Sequence, residues 1–346
     1  MSTPPQGSER LSPPQAGTMI REMLRPLMPY LDQADLQELV INRPGELFCL
    51  TTNGWQRYEM GALSHQRLMT ICLAIATFAA QSLSAQTPIL SAVLPGGERI
   101  QILIPPCVEE GLISLSIRRP YHSDKTLKAW EGEGAFEKIE SPKTREDVPE
   151  NAFRESLRDE LTRCVRQGEN IAIVGETGSG KTTLMKSLCQ LIPSHERLIT
   201  IEDARELFLP HHLNRVHLLY SRGNQGSASI GAGDLITACL RMRPDRVLLA
   251  ELRGPEAFDY LKLLSTGHRG SITSFHAGSC AQAMDRFALM CRENKDAIGF
   301  TTAELCELAR LNIDLVVHLS VTRGNGDQRR RFIKEIWRRV PQSVTQ

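Results

Sequence analysis

The chain has 346 residues, enough for about two domains at roughly 150 residues each, every one able to bury its own core. A formal net charge of +1 excludes a global pull toward nucleic acid or acidic membrane, so any polyanion must be bound locally. The nine cysteines, odd in number and without a C-x-x-C pair, fit neither a secreted disulfide framework nor a zinc ribbon and read as reduced intracellular thiols.

Met1 to Thr18, rich in Pro, Gln, Ser and Gly and without the apolar core of a signal peptide, reads as a disordered tail, and export is not expected. From residue 19 to about 120 the pattern mixes helix and strand. A helix is predicted near Ile20 to Tyr30, a hairpin turning at Asn53-Gly54, and a helix over Leu68 to Leu83. That last stretch is interrupted by Thr70, Thr77, Gln81 and Ser82 and falls short of the ~20 apolar residues of a membrane span, so it reads as a buried helix. Ile89 to Leu94 and Arg99 to Ile104 read as two strands around Pro95-Gly96-Gly97, with Leu112 to Ile117 as a third. Together these make a smaller α+β N-terminal domain.

Residues 121–150 carry Gly132, Gly134, Pro142 and Pro149 among many charges and read as a linker. Over 151–346 helix and strand alternate. Helices are predicted at Ala152 to Gln167, Lys181 to Leu191, Asp234 to Arg241 and Glu256 to Ser265. Strands are predicted at Asn170 to Val174, Arg197 to Glu202, Arg246 to Glu251, Gly270 to Phe275 and Leu315 to Val321. The alternation predicts an α/β domain with a parallel-rich sheet flanked by helices.

Gly175-Glu176-Thr177-Gly178-Ser179-Gly180-Lys181-Thr182 matches G-x-x-x-x-G-K-[ST] in full, after an apolar strand and before a helix, as a P-loop requires. The glycines let backbone N–H groups converge on a β-phosphate, Lys181 reaches the β/γ oxygens and the Thr182 hydroxyl ligates Mg²⁺, with ATP as the nucleotide. Arg246 to Glu251 has the apolar-then-acid form of the second strand such a site needs. Ala250 stands where an Asp usually precedes the Glu, so contact between Glu251 and the metal is read as running through water.

Thr200 to Glu206 forms an acidic cluster beyond a strand end, where α/β sheets place their ligands; the residues alone leave a solvated turn and an active-site loop both open. His268 and His276 flank a predicted strand at an even separation, too far apart to join one metal. At the carboxyl end, His276 suits phosphate sensing, against the alternative of a structural histidine.

The P-loop, Thr200 to Glu206, Leu240 to Arg246 running into Glu251-Leu252-Arg253, and Gly267-His268 through His276-Ala277-Gly278 together resemble the type IV secretion traffic ATPases and their relatives, the type II secretion and pilus motors. The resemblance covers nearly all of 168–321 and reaches the N-terminal domain through Gly96 to Gln101 and Ser114 to Arg118. It implies a RecA-like P-loop NTPase domain and a catalytic set of Lys181, Glu206, Glu251, Arg99 and Arg118. Glu206 would orient the water, Glu251 would be the Walker B acid, and the two arginines would reach the phosphates when the N-terminal domain closes. By residue pattern alone Arg99 and Arg118 are exposed strand arginines. The implied nucleotide-binding set is Gly175 to Thr182 with Thr183, Glu202, Asp203, His276 and Arg243, the last near a subunit boundary.

The implied function is an ATP-hydrolysing homohexameric motor for a bacterial type IV secretion system, cytoplasmic and peripheral at the inner membrane. Its partners would be other secretion-system ATPases and inner-membrane components, with no sequence-specific nucleic acid binding. A type II or pilus-retraction motor, a nucleotide-gated scaffold with little turnover and a RecA-like DNA translocase are the alternatives. The absence of a tetracysteine motif speaks against the type II branch, although retraction motors also lack it. The 5% aromatic content and balanced charge speak against the translocase. The basic segment Gln328 to Arg331, with Lys334, Arg338 and Arg339, reads either as a solvated hairpin or as a contact to lipid headgroups or DNA.

Overall fold

The computed structural model describes residues 15–51, 53–119, 125–137, 157–220, 230–323 and 329–339, which fall into two compact units, 15–119 and 125–339.

In the first unit, β1 (Glu38–Ile41), β2 (Glu46–Thr51), β3 (Gly54–Glu59), β4 (Ile89–Val93), β5 (Arg99–Leu103) and β6 (Ser114–Arg118) form an antiparallel sheet in the order β3-β2-β1-β6-β5-β4. Alternate residues of β5 and β6 are buried, so one face of the sheet is packed. Helices α1 (Gln15–Met23), α2 (Met28–Leu31) and α3 (His65–Phe78) supply Ile20, Leu31, Leu68, Ile71 and Ile75 to that core. The helix expected over Ile20 to Tyr30 is two pieces, because Pro26 removes a backbone donor and disfavours helix at Arg25. α1 also begins inside the stretch read as a disordered tail; residues 1–14 lie outside the described residues. α3 starts earlier than expected, where the Ser64 side chain accepts from Arg67 N at 3.2 Å, and ends before Leu83, with Ala80 at φ 52° just beyond it.

The second unit is a seven-stranded sheet in the order β13-β12-β7-β11-β10-β8-β9. The strands are β7 (Ile171–Gly175), β8 (Leu198–Glu202), β9 (Arg215–Leu219), β10 (Arg246–Leu249), β11 (Ile272–Phe275), β12 (Leu315–Arg323) and β13 (Arg329–Arg338). All neighbours are parallel except β12 with β13. β7, β8, β10 and β11 are buried at every position, as a parallel sheet covered on both faces requires. On one face Ala172, Val174, Ile199 and Val247 pack with residues of α7 (Ala232–Cys239), α8 (Glu256–Ser265), α9 (Cys280–Arg292) and α10 (Thr302–Asn312). On the other, Ile171, Ile173, Leu198 and Leu248 pack with α4 (Leu127–Gly132), α5 (Leu157–Arg166) and α6 (Lys181–Cys189).

Part of the stretch read as a linker therefore belongs to this core. Thr126 caps α4 by accepting from Ala129 N at 3.2 Å, and Trp130 is fully buried, its Nε1 donating to Ser187 Oγ at 3.0 Å. Residues 121–124 and 138–150 of that expectation lie outside the described residues, as do 151–156 at the start of the helix expected over Ala152 to Gln167. The basic C-terminal segment is also more than a hairpin tip: it is β13, an edge strand whose Ile333 and Ile336 are buried while Arg330 and Arg331 are exposed, a composition that protects an open edge. Residues 324–328 are outside the described residues.

Candidate nucleotide-binding site

β7 delivers the chain into the loop at the carboxyl end of the sheet, and α6 begins at Lys181. Gly175 has φ 149°, and a Cβ there would lie 2.2 Å from the Leu319 carbonyl oxygen, so β12 tolerates no side chain. Gly180 caps α6 in the left-handed conformation, φ 99°, where an added Cβ would meet Arg331 Cδ at 3.0 Å and Trp130 Cη2 at 3.1 Å. The opening N–H groups of α6 have no helical acceptor and favour an anion. Ser179 Oγ is buried without a hydrogen-bond partner among the described residues, an orphan that a bound anion or its water would satisfy. Glu176 and Thr177 form the exposed tip. These features fit a nucleotide phosphate in the loop.

Lys181 is buried, and its ammonium donates to the carbonyls of Gly175 at 2.9 Å and Glu176 at 3.0 Å, with His276 Nδ1 at 3.4 Å. On the other side of the ring, His276 Nε2 lies 3.0 Å from Glu251 Oε1, and Glu251 Oε2 is paired with Arg253. Lysine only donates and a carboxylate only accepts, so the tautomer that satisfies both contacts is neutral histidine protonated at Nε2. Burial lowers the His276 pKa below its ordinary value, and the Lys181 ammonium lowers it further against the raising effect of the Gly175 carbonyl. β10 ends at Leu249, and Ser274 Oγ donates to the Ala250 carbonyl at 2.7 Å, tying the Glu251 turn to β11.

Glu202, read from the sequence as a nucleotide contact, has another use. It is fully buried and accepts from Glu206 N at 2.7 Å, Leu207 N at 2.8 Å and Thr200 Oγ1 at 2.8 Å. His217 Nδ1 lies 2.8 Å from the same Thr200 hydroxyl. The carboxylate folds the acidic loop around itself and thereby positions half-buried Glu206 and its neighbour Asp203.

Arg243 and His268 both lie at the ends of strands away from the loop. Arg243 precedes β10, at the end of the parallel strands opposite the P-loop, so it cannot join the phosphate site of its own chain; the four residues of β10 alone put about 13 Å between the two ends. It sits at φ 53° immediately before Pro244, a doubly disfavoured conformation for a non-glycine residue. His268 lies in the turn before β11, near Thr266 Oγ1 at 3.1 Å, and His276 lies just beyond its carboxyl end, so the two histidines flank the strand as expected. Arg99 and Arg118, on β5 and β6 of the first unit, are directly opposite each other in register, and Glu38 lies opposite Arg118 on its other side, forming one row across the sheet.

Thr182 and Thr183 are half-buried in the first turn of α6, where the Thr182 hydroxyl would hold Mg²⁺ together with phosphate oxygens and water. The sequence reading missed Arg331, whose Nε donates to the Gly178 carbonyl at 3.1 Å. The available signal was the interleaving of Phe332-Ile333 and Ile336-Trp337 among the arginines, a strand pattern in a basic run.

The family model Type II/IV secretion system protein matches residues 22–321. The type IV secretion system protein VirB11 of Brucella suis biovar 1 (strain 1330) is 43% identical over 322 residues, 91% of this chain and 88% of that protein. The type IV secretion system protein PtlH of Bordetella pertussis (strain Tohama I) is 40% identical over 325 residues, 91% of this chain and 94% of that protein. The crystallographic structure of the Legionella pneumophila ATPase DotB, 17% identical, covers 97% of this chain and 84% of its own with a TM-score of 0.58, a likeness of fold. Among the described residues no helix is long and apolar enough to cross a membrane. The chain belongs to the type II/IV secretion system protein family and, within it, to the VirB11-type ATPases of type IV secretion.

Proposed function

We propose that this chain hydrolyses ATP at the P-loop, with Mg²⁺, as a homohexameric motor at the cytoplasmic face of a bacterial inner membrane, acting with other ATPases and membrane components of its secretion system. The observation that carries the reading is the relay Lys181–His276–Glu251, which links the loop's cation through a neutral imidazole to the acid after β10. Bound Mg²⁺ would neutralise developing charge on the β- and γ-oxygens. Lys181 exchanges its carbonyl partners for those oxygens, and Thr182 would hold the metal through its hydroxyl. Glu206, held by the Glu202 knot, orients water, and Glu251 would help hold the metal through water. Gly175 to Gly180 offer backbone N–H groups, with Glu176, Thr177 and Asp203 around the entrance. Arg99 and Arg118 stabilise the phosphates, where an arginine is worth roughly 10³ to 10⁵ in rate in related NTPases. Arg243 faces a neighbouring subunit.

Phosphate release by the purified full chain, with Mg²⁺ and with chelator, tests the activity. Light scattering with a non-hydrolysable ATP analogue tests the ring. Arg99→Ala and Arg118→Ala are expected to depress turnover; a nucleotide-bound monomer at micromolar concentration, or full activity in the double variant, would remove the ring or the two arginines from the account.

A further inference from the structure

The P-loop has a second cation, on the side away from the phosphoryl chemistry. Lys181, His276 and Glu251 gather on the side of β7 where β11 and then β10 follow, whereas Arg331 comes from β13, beyond β12 on the opposite side of β7. Its Nε donates to the Gly178 carbonyl at 3.1 Å, and its Cδ lies 3.0 Å from where a Gly180 side chain would start. A P-loop turns its N–H groups toward bound phosphate, so a guanidinium held by a loop carbonyl sits on the outer lip. Arg331 is exposed, and its Nη1 and Nη2 make no hydrogen bond among the described residues.

The folded part of the 125–137 segment fixes it there. Ile333 N donates to the Ala135 carbonyl at 2.8 Å, and Arg330 Nη2 donates to the Gly134 carbonyl at 3.1 Å and pairs with Glu137 at 2.9 Å. Buried Trp130, also against Gly180, closes the space beneath. The stem of Arg331 thus has little freedom while its planar head stays open.

We infer that Arg331 is the shelf for the nucleotide's base: with the triphosphate in the loop and its γ end toward Glu251, the base leaves on the β12–β13 side and its ring stacks on the guanidinium. An arginine plane suits this because stacking and cation–π attraction act together, and the contact is tolerant of base identity. The inference rests on the nucleotide-binding reading of the P-loop.

Calorimetric titration of the full chain with ATP and, separately, with inorganic tripolyphosphate tests it. In Arg331→Ala, ATP affinity should fall about tenfold while tripolyphosphate affinity stays within twofold, because only ATP carries a base. The loss should appear in the KM for ATP, since the contact is equal in ground and transition states. Arg331→Lys, which keeps stem and charge but not the plane, should lose most of the same ATP affinity. Equal losses for both ligands would make Arg331 a phosphate ligand, and no loss for either, or full ATP affinity in the Lys variant, would equally overturn the shelf. A wild-type chain that binds neither ligand would instead overturn the nucleotide reading itself.

Discussion

The Lys181 ammonium lies 3.4 Å from Nδ1 of His276, a contact that holds only while that nitrogen is unprotonated. A protonated ring would set two cations against each other. Burial and Lys181 both lower the His276 pKa from its ordinary 6.5, so the unfolded chain takes up this proton more readily than the folded one. The associated stability is present above about pH 6.5 and is lost as pH falls through the lower folded value. NMR titration of the His276 ring should give a midpoint below 6.5, and His276→Asn should flatten the acid limb of thermal stability. A midpoint at or above 6.5 would mean that Glu251, not Lys181, governs the ring.

Glu206→Gln and Glu251→Gln should each slow hydrolysis by roughly 10²-fold or more while leaving ATP affinity within a few-fold, as expected when a transition-state interaction is removed without ground-state binding. Steady-state turnover beside fluorescent-nucleotide binding separates the two quantities. Loss of binding in either variant would make that carboxylate structural or metal-anchoring.

Glu202→Gln should behave differently from Glu206→Gln. The buried carboxylate accepts two backbone N–H groups and a hydroxyl, whereas an amide brings donors into a pocket arranged around acceptors. Destabilisation of about 1–3 kcal/mol, read by denaturant unfolding, should accompany slowed turnover, because the loop bearing Glu206 is released. Unchanged stability with lost nucleotide binding would restore the direct contact read from the sequence.

Much of this site was legible in residue order. The P-loop, flanked by a continuous apolar strand and a helix, needed only local context, and Glu251 followed from the strand Arg246 to Leu249. What was not legible depends on distant partners. Glu202 and Glu206 look alike in a run of acids; only the fold shows that one is buried under the backbone of the other. Gly132 and Gly134 suggested a linker, yet Trp130 between α5 and α6 makes that stretch part of a core. Arg243 sits in a motif that runs into Glu251, but strand direction carries it to the opposite end of the sheet. The basic run at 329–331 hid a strand because its buried partners, Ile333 and Ile336, follow the arginines.

The most direct test of the account is ATP turnover by Lys181→Ala beside the wild-type chain. Lys181 supplies the positive charge of the loop, and its ammonium is already held at the mouth by the Gly175 and Glu176 carbonyls. The account predicts steady phosphate release by the wild type and none above background in the variant, with the nucleotide-free fold intact by circular dichroism. Wild-type turnover in Lys181→Ala would place the chemistry elsewhere and contradict it.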